Sequence, residues 1–231
     1  KRCDRIILSL PNSAIVELVI QGIEQALQPH SIVIDTTTGS AAIVEQLAAR
    51  LEESQVRFLD ACIGGSSEDV RQHRAVVLCG GAAAAFEVCR PIFGAIAERM
   101  FHLGGAGAGT RMKLAFNLVL GLNRAVLAEG LEFARKAGIR PEVALDVLKH
   151  GAAYSRVMDT KGQKMLDEDF APQARLAQHL KDVRHILAEG GESGAVLPLS
   201  EVHARILQEL DAAGFGANDN SAVIRWFKGL P

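Results

Sequence analysis

Residues 104–122 read Gly-Gly-Ala-Gly-Ala-Gly-Thr-Arg-Met-Lys-Leu-Ala-Phe-Asn-Leu-Val-Leu-Gly-Leu. A glycine- and alanine-rich turn gives way at once to a helical pattern that is apolar nearly all round. Met112, Leu114, Phe116, Leu118, Val119, Leu120 and Leu122 leave little polar face, so the helix is expected to be buried. Thr110 is placed to cap it, and the pattern continues to about Ala137. This stretch divides the chain. Before it strands and helices alternate, and after it every segment reads as helix.

Working towards the N-terminus, short apolar runs predict strands over Ile6–Leu10, Ser31–Asp35, Val56–Leu59, Ala75–Cys79 and Arg99–Leu103. Asn12-Ser13 opens a helix with Ile15, Leu18, Val19, Ile23 and Leu27 at helical spacing. Ala41–Leu51 and Ala82–Phe93 read as two more helices. The β-α-β-α-β rhythm is that of crossover units in a parallel sheet. Towards the C-terminus, helices are expected over Pro141–Lys149, Ser155–Leu166, Pro172–Ala188, Pro198–Ala212 and Asn218–Lys228, with glycines as stops. The fold class is α/β followed by all-α, joined by one long helix, with the boundary at residues 1–105 and 106–231.

Composition narrows the function. The 231 residues are 48% hydrophobic and 23% charged, which suits one or two globular domains and excludes disordered and collagen-like classes. Net charge is −2 with no dense Lys/Arg run, so neither nucleic acid nor an anionic membrane is an expected partner. Cys3, Cys62, Cys79 and Cys89 form no C-x-x-C pair, which fits reduced thiols in the cytoplasm. The seven histidines are scattered, and His179 and His185 are six apart and do not share a helix face, so no metal site is expected. The apolar run Leu114–Leu122 is bounded by Lys113 and Asn123-Arg124, short of the ~20 residues that span a bilayer. No signal peptide is read. The chain opens without Met on a buried-type strand, as a piece of a longer protein would.

Two polar residues interrupt the apolar helix. Lys113 and Asn117 are four apart and share one face. Burying a lysine is expensive and lowers its pKa. One reading has Lys113 snorkelling to a domain edge while Asn117 satisfies a neighbouring backbone group. The other makes them a functional pair.

The pattern Gly104-x-x-Gly107-x-Gly109-x-x-x-Lys113-x-x-x-Asn117 resembles the catalytic segment of the β-hydroxyacid dehydrogenases, the family of 3-hydroxyisobutyrate dehydrogenase and tartronate semialdehyde reductase. Five further stretches agree in order. Leu10-Pro11-Asn12 looks like the family's Leu-Pro beside the cofactor, and Asp35-Thr36-Thr37-Thr38 like its Asp-x-Ser-Ser/Thr turn. Asp60-Ala61-Cys62-Ile63-Gly64-Gly65 looks like its substrate motif Asp-Ala-Pro-Val-Ser-Gly-Gly. Lys181-Asp182 and Asp219-x-Ser221-Ala222 look like its late Lys-Asp and Asp-x-Ser-Ala motifs. Read singly, Leu10-Pro11 is a strand end, Thr36–Thr38 a turn and helix cap, and Lys181-Asp182 a solvated pair.

The resemblance implies an incomplete Rossmann-type (doubly wound) domain at 1–105 and an all-helical substrate and dimerisation domain at 106–231, similar to the C-terminal domain of 6-phosphogluconate dehydrogenase. It implies hydride transfer between NAD or NADP and a small 3-hydroxy acid or its semialdehyde or keto form. Lys113 is then the proton donor in reduction, and Asn117 orients the substrate. Backbone N–H groups of Gly64 and Gly65 receive the substrate carboxylate, while Leu10, Pro11, Thr38 and Lys181 hold the cofactor. A homodimer or homotetramer follows as well, with Leu118, Leu122 and Val126 near a helix–helix seam. The family's Pro is here Cys62, its Ser is Gly64 and its second Gly is Ser66. Cys62 has no base nearby in sequence and reads as a packed small residue. The family's opening strand and G-x-G-x-x-G turn do not occur in these residues. That leaves two alternative readings, a truncated or degenerate member that keeps fold and oligomer contacts without catalysis, and a related imine or aldehyde reductase.

Overall fold

The computed structural model describes residues 3–230. The strands are β1 (Arg5–Leu8), β2 (Ile32–Asp35), β3 (Arg57–Gly64), β4 (Val76–Gly80) and β5 (Arg99–His102). Among them lie helices α1 (Ser13–Ile23), α2 (Ala41–Glu52), α3 (Ser67–Arg71) and α4 (Ala83–Gly94). Next come α5 (Ala108–Lys136), α6 (Pro141–His150), α7 (Gln163–Asp167), α8 (Leu176–Ser193), α9 (Pro198–Ala212) and α10 (Ile224–Phe227). The chain forms two compact units, residues 1–116 and 117–231, which part within α5.

In the first unit the sheet runs in the order β1-β2-β3-β4-β5. β1–β2, β2–β3 and β4–β5 are parallel, whereas β3 and β4 pair antiparallel, from Asp60↔Gly80 to Gly64↔Val76. The first three strands are parallel, as their rhythm implies, and the reversal enters at β4. The link between β3 and β4, residues 65–75, carries only the five-residue α3, short of the helix that usually makes a crossover to a parallel strand. β3 also runs on past the strand end expected after Leu59 to Gly64, because Asp60, Ala61 and Cys62 are apolar or internally bonded and pair with β4. Alternation along the strands feeds two layers. Val33 and Phe58 pack with Val16, Val44 and Leu47 of α1 and α2. Ile34, Leu59 and Val77 pack with Phe86 and Phe93 of α4 on the other face. Each such side chain stabilises the fold by about 1.5–3 kcal/mol.

The second unit is helical around Leu127, Leu131, Met165, Leu176, Leu180, Leu207 and Leu210. The helix read over 155–166 is interrupted by a π turn at Met158–Gly162 that turns Lys161 inward, and the segment read over 218–228 is a 3₁₀ turn, Asn220–Val223, followed by α10. Burial of α5 is one-sided, against expectation. Leu114, Leu127, Ala128 and Leu131 are buried, while Met112, Val119, Val126 and Phe133, spaced by seven, are exposed. The expectation that no segment suffices for a bilayer is corrected too. By length and composition α5 is long and apolar enough, with mean hydropathy 1.3 over its most apolar window, because the apolar pattern resumes past Arg124 at Ala125-Val126-Leu127-Ala128. A core helix passes the same test, and 44% of that window is buried in the protein.

Candidate active site

The start of α5 is held by a carboxylate rather than by Thr110. Asp60 accepts the backbone N–H of Gly107 through Oδ1 at 3.1 Å and that of Thr110 through Oδ2 at 2.7 Å. It thereby satisfies two of the donors that a helix N-terminus leaves open. Gly109 has to be glycine, since a Cβ there would lie 2.2 Å from the Asp60 carbonyl oxygen and 2.6 Å from that of Leu78. The helix thus begins pressed against β3 and β4. Burial raises the Asp60 pKa against the opposing pull of these N–H bonds. Within the motif read as substrate-binding, this carboxylate faces α5.

That anchoring fixes the direction of Lys113, which is only 8% exposed. Its Nζ lies 5.1 Å from the centroid of the Phe116 ring, within cation–π range. One turn further on, Asn117 is also buried, and its Nδ2 donates to Asp182 Oδ2 at 2.9 Å. Asp182 is itself buried and stands 3.2 Å from Lys181 Nζ through its other oxygen. The Lys181-Asp182 dipeptide is therefore more than a solvated pair, and its aspartate sets the orientation of the Asn117 amide. Gly121 lets α8 approach, because a Cβ there would stand 2.4 Å from His179 Nε2. His179 in turn packs against His203, ring centroids 5.1 Å apart. Burial, with the buried Arg124 guanidinium adding repulsion, pushes His203 down to about 4. The sequence reading missed this cluster, because its members come from three helices.

Gly64 ends β3 and is buried, whereas Gly65 is exposed with φ +143°. Ser66 and Asp69 close a reciprocal capping box over α3. Cys62 is fully buried, its thiol donates to the Thr37 carbonyl oxygen at 3.4 Å, and burial pushes it up to about 12. It is a packed, unreactive residue.

The turns after β1 and β2 are stitched together. The Leu10 N–H donates to Thr37 Oγ1 at 3.1 Å, Thr36 Oγ1 donates to the Leu8 carbonyl at 2.9 Å, and the Ser40 N–H donates to Ser13 Oγ at 2.9 Å. Asn12 and Ser40 cap α1 and α2, and neither helix carries an acid in its first turn. The carboxyl edge of adjacent parallel strands, with two helix N-termini free of acids, fits an anionic dinucleotide. Asp35, at the end of β2, is buried. It accepts the Thr37 N–H at 2.9 Å, and burial raises it to about 6 against the pull of that hydrogen bond.

The late Asp219 is structural. It takes both 2.8 Å contacts from Lys161 Nζ and the N–H groups of Gln173, Ala174 and Ser221. Burial alone would raise its pKa, but Lys161 and these N–H groups outweigh that and hold it at about 2. Among the described residues no group of three or more His, Cys, Asp or Glu is placed to hold a metal ion.

Two family models cover the chain. Residues 1–104 match the NAD binding domain of 6-phosphogluconate dehydrogenase, and residues 107–227 match the NAD-binding domain of NADP-dependent 3-hydroxyisobutyrate dehydrogenase. The chain belongs to the β-hydroxyacid dehydrogenase family. It is an NAD(P)-dependent oxidoreductase of the hydroxyacid dehydrogenase type, with a small-molecule substrate. A 2-(hydroxymethyl)glutarate dehydrogenase of Eubacterium barkeri is 30% identical over 96% of this chain and 75% of its own length. An L-threonate dehydrogenase of Cupriavidus necator is 29% identical over 99% of this chain and 78% of its own. The crystal structure of a 3-hydroxyisobutyrate dehydrogenase from Salmonella typhimurium superposes with a TM-score of 0.89 at 28% identity, covering 96% of this chain and 79% of that one. This β-hydroxyacid dehydrogenase accordingly has the Rossmann-type sheet followed by helices that the resemblance implied.

Proposed function

We propose that the protein interconverts a small 3-hydroxy acid and its semialdehyde or keto form with Lys113 as the proton-transfer group. The observation that carries this reading is a lysine only 8% exposed on α5, one helical turn before an asparagine whose amide is held by a buried aspartate. A bound nicotinamide supplies the hydride in reduction and accepts it in oxidation. As the carbonyl carbon is reduced, the Lys113 ammonium gives its proton to the carbonyl oxygen, which becomes the hydroxyl, and is left as the neutral amine. In oxidation that amine takes the hydroxyl proton back. Asn117, its amide fixed by Asp182, presents its polar edge to the substrate at a set angle.

Backbone N–H groups at Gly64 and Gly65 receive the substrate carboxylate in this reading. Leu10, Pro11 and Thr38 contribute to the cofactor from the carboxyl edge of β1 and β2, and Lys181 contributes from the helical part. Residues 1–105 serve the nucleotide, and residues 106–231 serve the substrate and self-association.

The exposed row Met112, Val119, Val126 and Phe133 supports a homodimer or homotetramer formed through α5, since an apolar helix face calls for a partner. This row replaces Leu118 and Leu122, which are partly covered within the chain, and keeps Val126. The cytoplasm is the compartment that suits an enzyme with free cysteines and a nicotinamide substrate.

Lys113→Ala in the whole protein tests the central role. Turnover is expected to fall by about 10²–10⁴ with cofactor affinity nearly unchanged. A near-normal kcat in this variant removes the assignment.

A further inference from the structure

The Phe116 ring is close to two groups that the proposed chemistry uses. One is Lys113 Nζ, 5.1 Å from the ring centroid. The second is Gly64, where a built Cβ would stand 3.3 Å from ring atoms Cε2 and Cζ and 2.7 Å from Val76 Cγ2. The space a side chain at position 64 would need is therefore already filled, by a ring from α5 and a valine from β4. A hydroxyl-bearing residue could enter only by displacing both. The adjacent hydroxyl, that of Ser66, is committed elsewhere. It donates to Asp69 Oδ2 at 2.7 Å and accepts the Asp69 N–H at 3.1 Å, while the Ser66 N–H goes to the same carboxylate at 2.9 Å. The Phe116 ring thus forms part of the wall beside the ammonium, and neither position 64 nor Ser66 offers it an uncommitted hydroxyl.

We propose that Phe116 is a specificity-determining residue, selecting hydroxy acids and carbonyl forms whose substituent beside the reacting carbon is apolar over polyhydroxy acids. The proposal rests on the reading of Lys113 as the proton-transfer group. A substrate hydroxyl placed against the ring gives up hydrogen bonds to water that the ring does not replace, which is costly. A methyl or longer alkyl group in the same place removes apolar surface from water. The ring face also attracts the ammonium, which keeps Nζ beside this apolar wall and not out in solvent. Phe116 thereby links the identity of the substrate to the group that exchanges its proton.

The test compares kcat/KM of the whole protein, with its nicotinamide cofactor, on 3-hydroxyisobutyrate (one methyl) and on L-threonate (additional hydroxyls). Wild type is expected to favour the methyl-bearing acid. Phe116→Ser is expected to lower that preference by about tenfold or more, the scale on which apolar pockets discriminate. Phe116→Tyr keeps the ring and adds one hydroxyl, and it carries the test should the Ser variant lose its cooperative thermal transition. There the preference is expected to fall by about threefold or more. An unchanged ratio in the folded variants overturns the inference, as does a wild type that prefers L-threonate or fails to turn over the methyl-bearing acid. Lys113→Ala separates the two levels. Full activity there brings down the reading of Lys113 itself, whereas its loss together with an unchanged Phe116 ratio brings down this inference alone.

Discussion

Asp60, in the middle of β3, accepts the backbone N–H of Thr110 at 2.7 Å and so ties the sheet to the first turn of α5. The same carboxylate takes the Gly107 N–H. This cap stands one turn before Lys113 and sets where that side chain starts.

Asp60→Ala leaves two buried N–H donors without an acceptor. Stability is expected to fall by about 2–4 kcal/mol. Because the start of α5 loosens, kcat is expected to fall more than KM rises. Urea unfolding and steady-state kinetics on the same preparation check both. A variant as stable as wild type would show that the cap is dispensable.

Lys161 and Asp219 form a buried pair at 2.8 Å in the helical unit, with backbone N–H groups completing the carboxylate's bonds. Removing one partner strands the other. Asp219→Ala is expected to cost about 3–5 kcal/mol, whereas replacing both by apolar residues is expected to cost less than the two single variants added together, since the N–H groups of Gln173, Ala174 and Ser221 lose their acceptor in either case. A double-mutant cycle by chemical denaturation reads the difference. Additive losses across the single and double variants would contradict the pairing argument.

His203 gives a pH dependence with a definite sign. Its folded-state pKa is held down near 4, against an unfolded value near 6.5, by burial and by Arg124. Between those values the unfolded chain binds the proton and the folded chain does not. Its contribution is therefore intact above pH ~6.5, falls as pH drops towards ~4 by about 3 kcal/mol in all, and changes no further below that. Asp35, raised to about 6, acts in the opposite sense, because the folded form holds its proton longer and loses stability as pH rises from about 4 to 6. The two offset each other in wild type. Comparing wild type with His203→Gln by urea unfolding at pH 7.5, 5.5 and 4 isolates the histidine. The stability advantage of wild type over the variant should shrink with falling pH. A pH-independent difference would rule out the shift.

Val126 is 65% exposed and Phe133 75% exposed on the same face of α5. Val126→Glu with Phe133→Glu places charge across that row without touching the core. Wild type is expected to sediment at micromolar concentration as a dimer or larger, and the variant as a single chain. Wild type behaving as a single chain would remove the self-association.

The outline of the fold was legible because its signals are local. Strand-length apolar runs, Asn12 and Ser40 as caps, and the glycines around 104–109 each act over a few residues. The Lys113/Asn117 pair was legible for the same reason, since helical spacing alone puts them on one face. The reversal at β4 was obscured because strand direction depends on which edge the chain returns to, and periodicity does not encode that. Only the shortness of the link around α3 hinted at it.

Sequence alone determined the class of the chain, the order of its motifs, and the lysine and asparagine one turn apart. These are properties of composition and of short-range geometry. Tertiary structure decided what each motif acid does. Asp60 became a helix cap, Asp182 the partner of Asn117, and Asp219 the partner of Lys161, because each met residues distant in the chain: Thr110, Asn117 and Lys161. It also decided that Gly64 is walled by Phe116 and Val76, and that α5 keeps one apolar face uncovered. A carboxylate's role follows from which donors surround it and how far water is excluded, and both are set only when separate elements pack together.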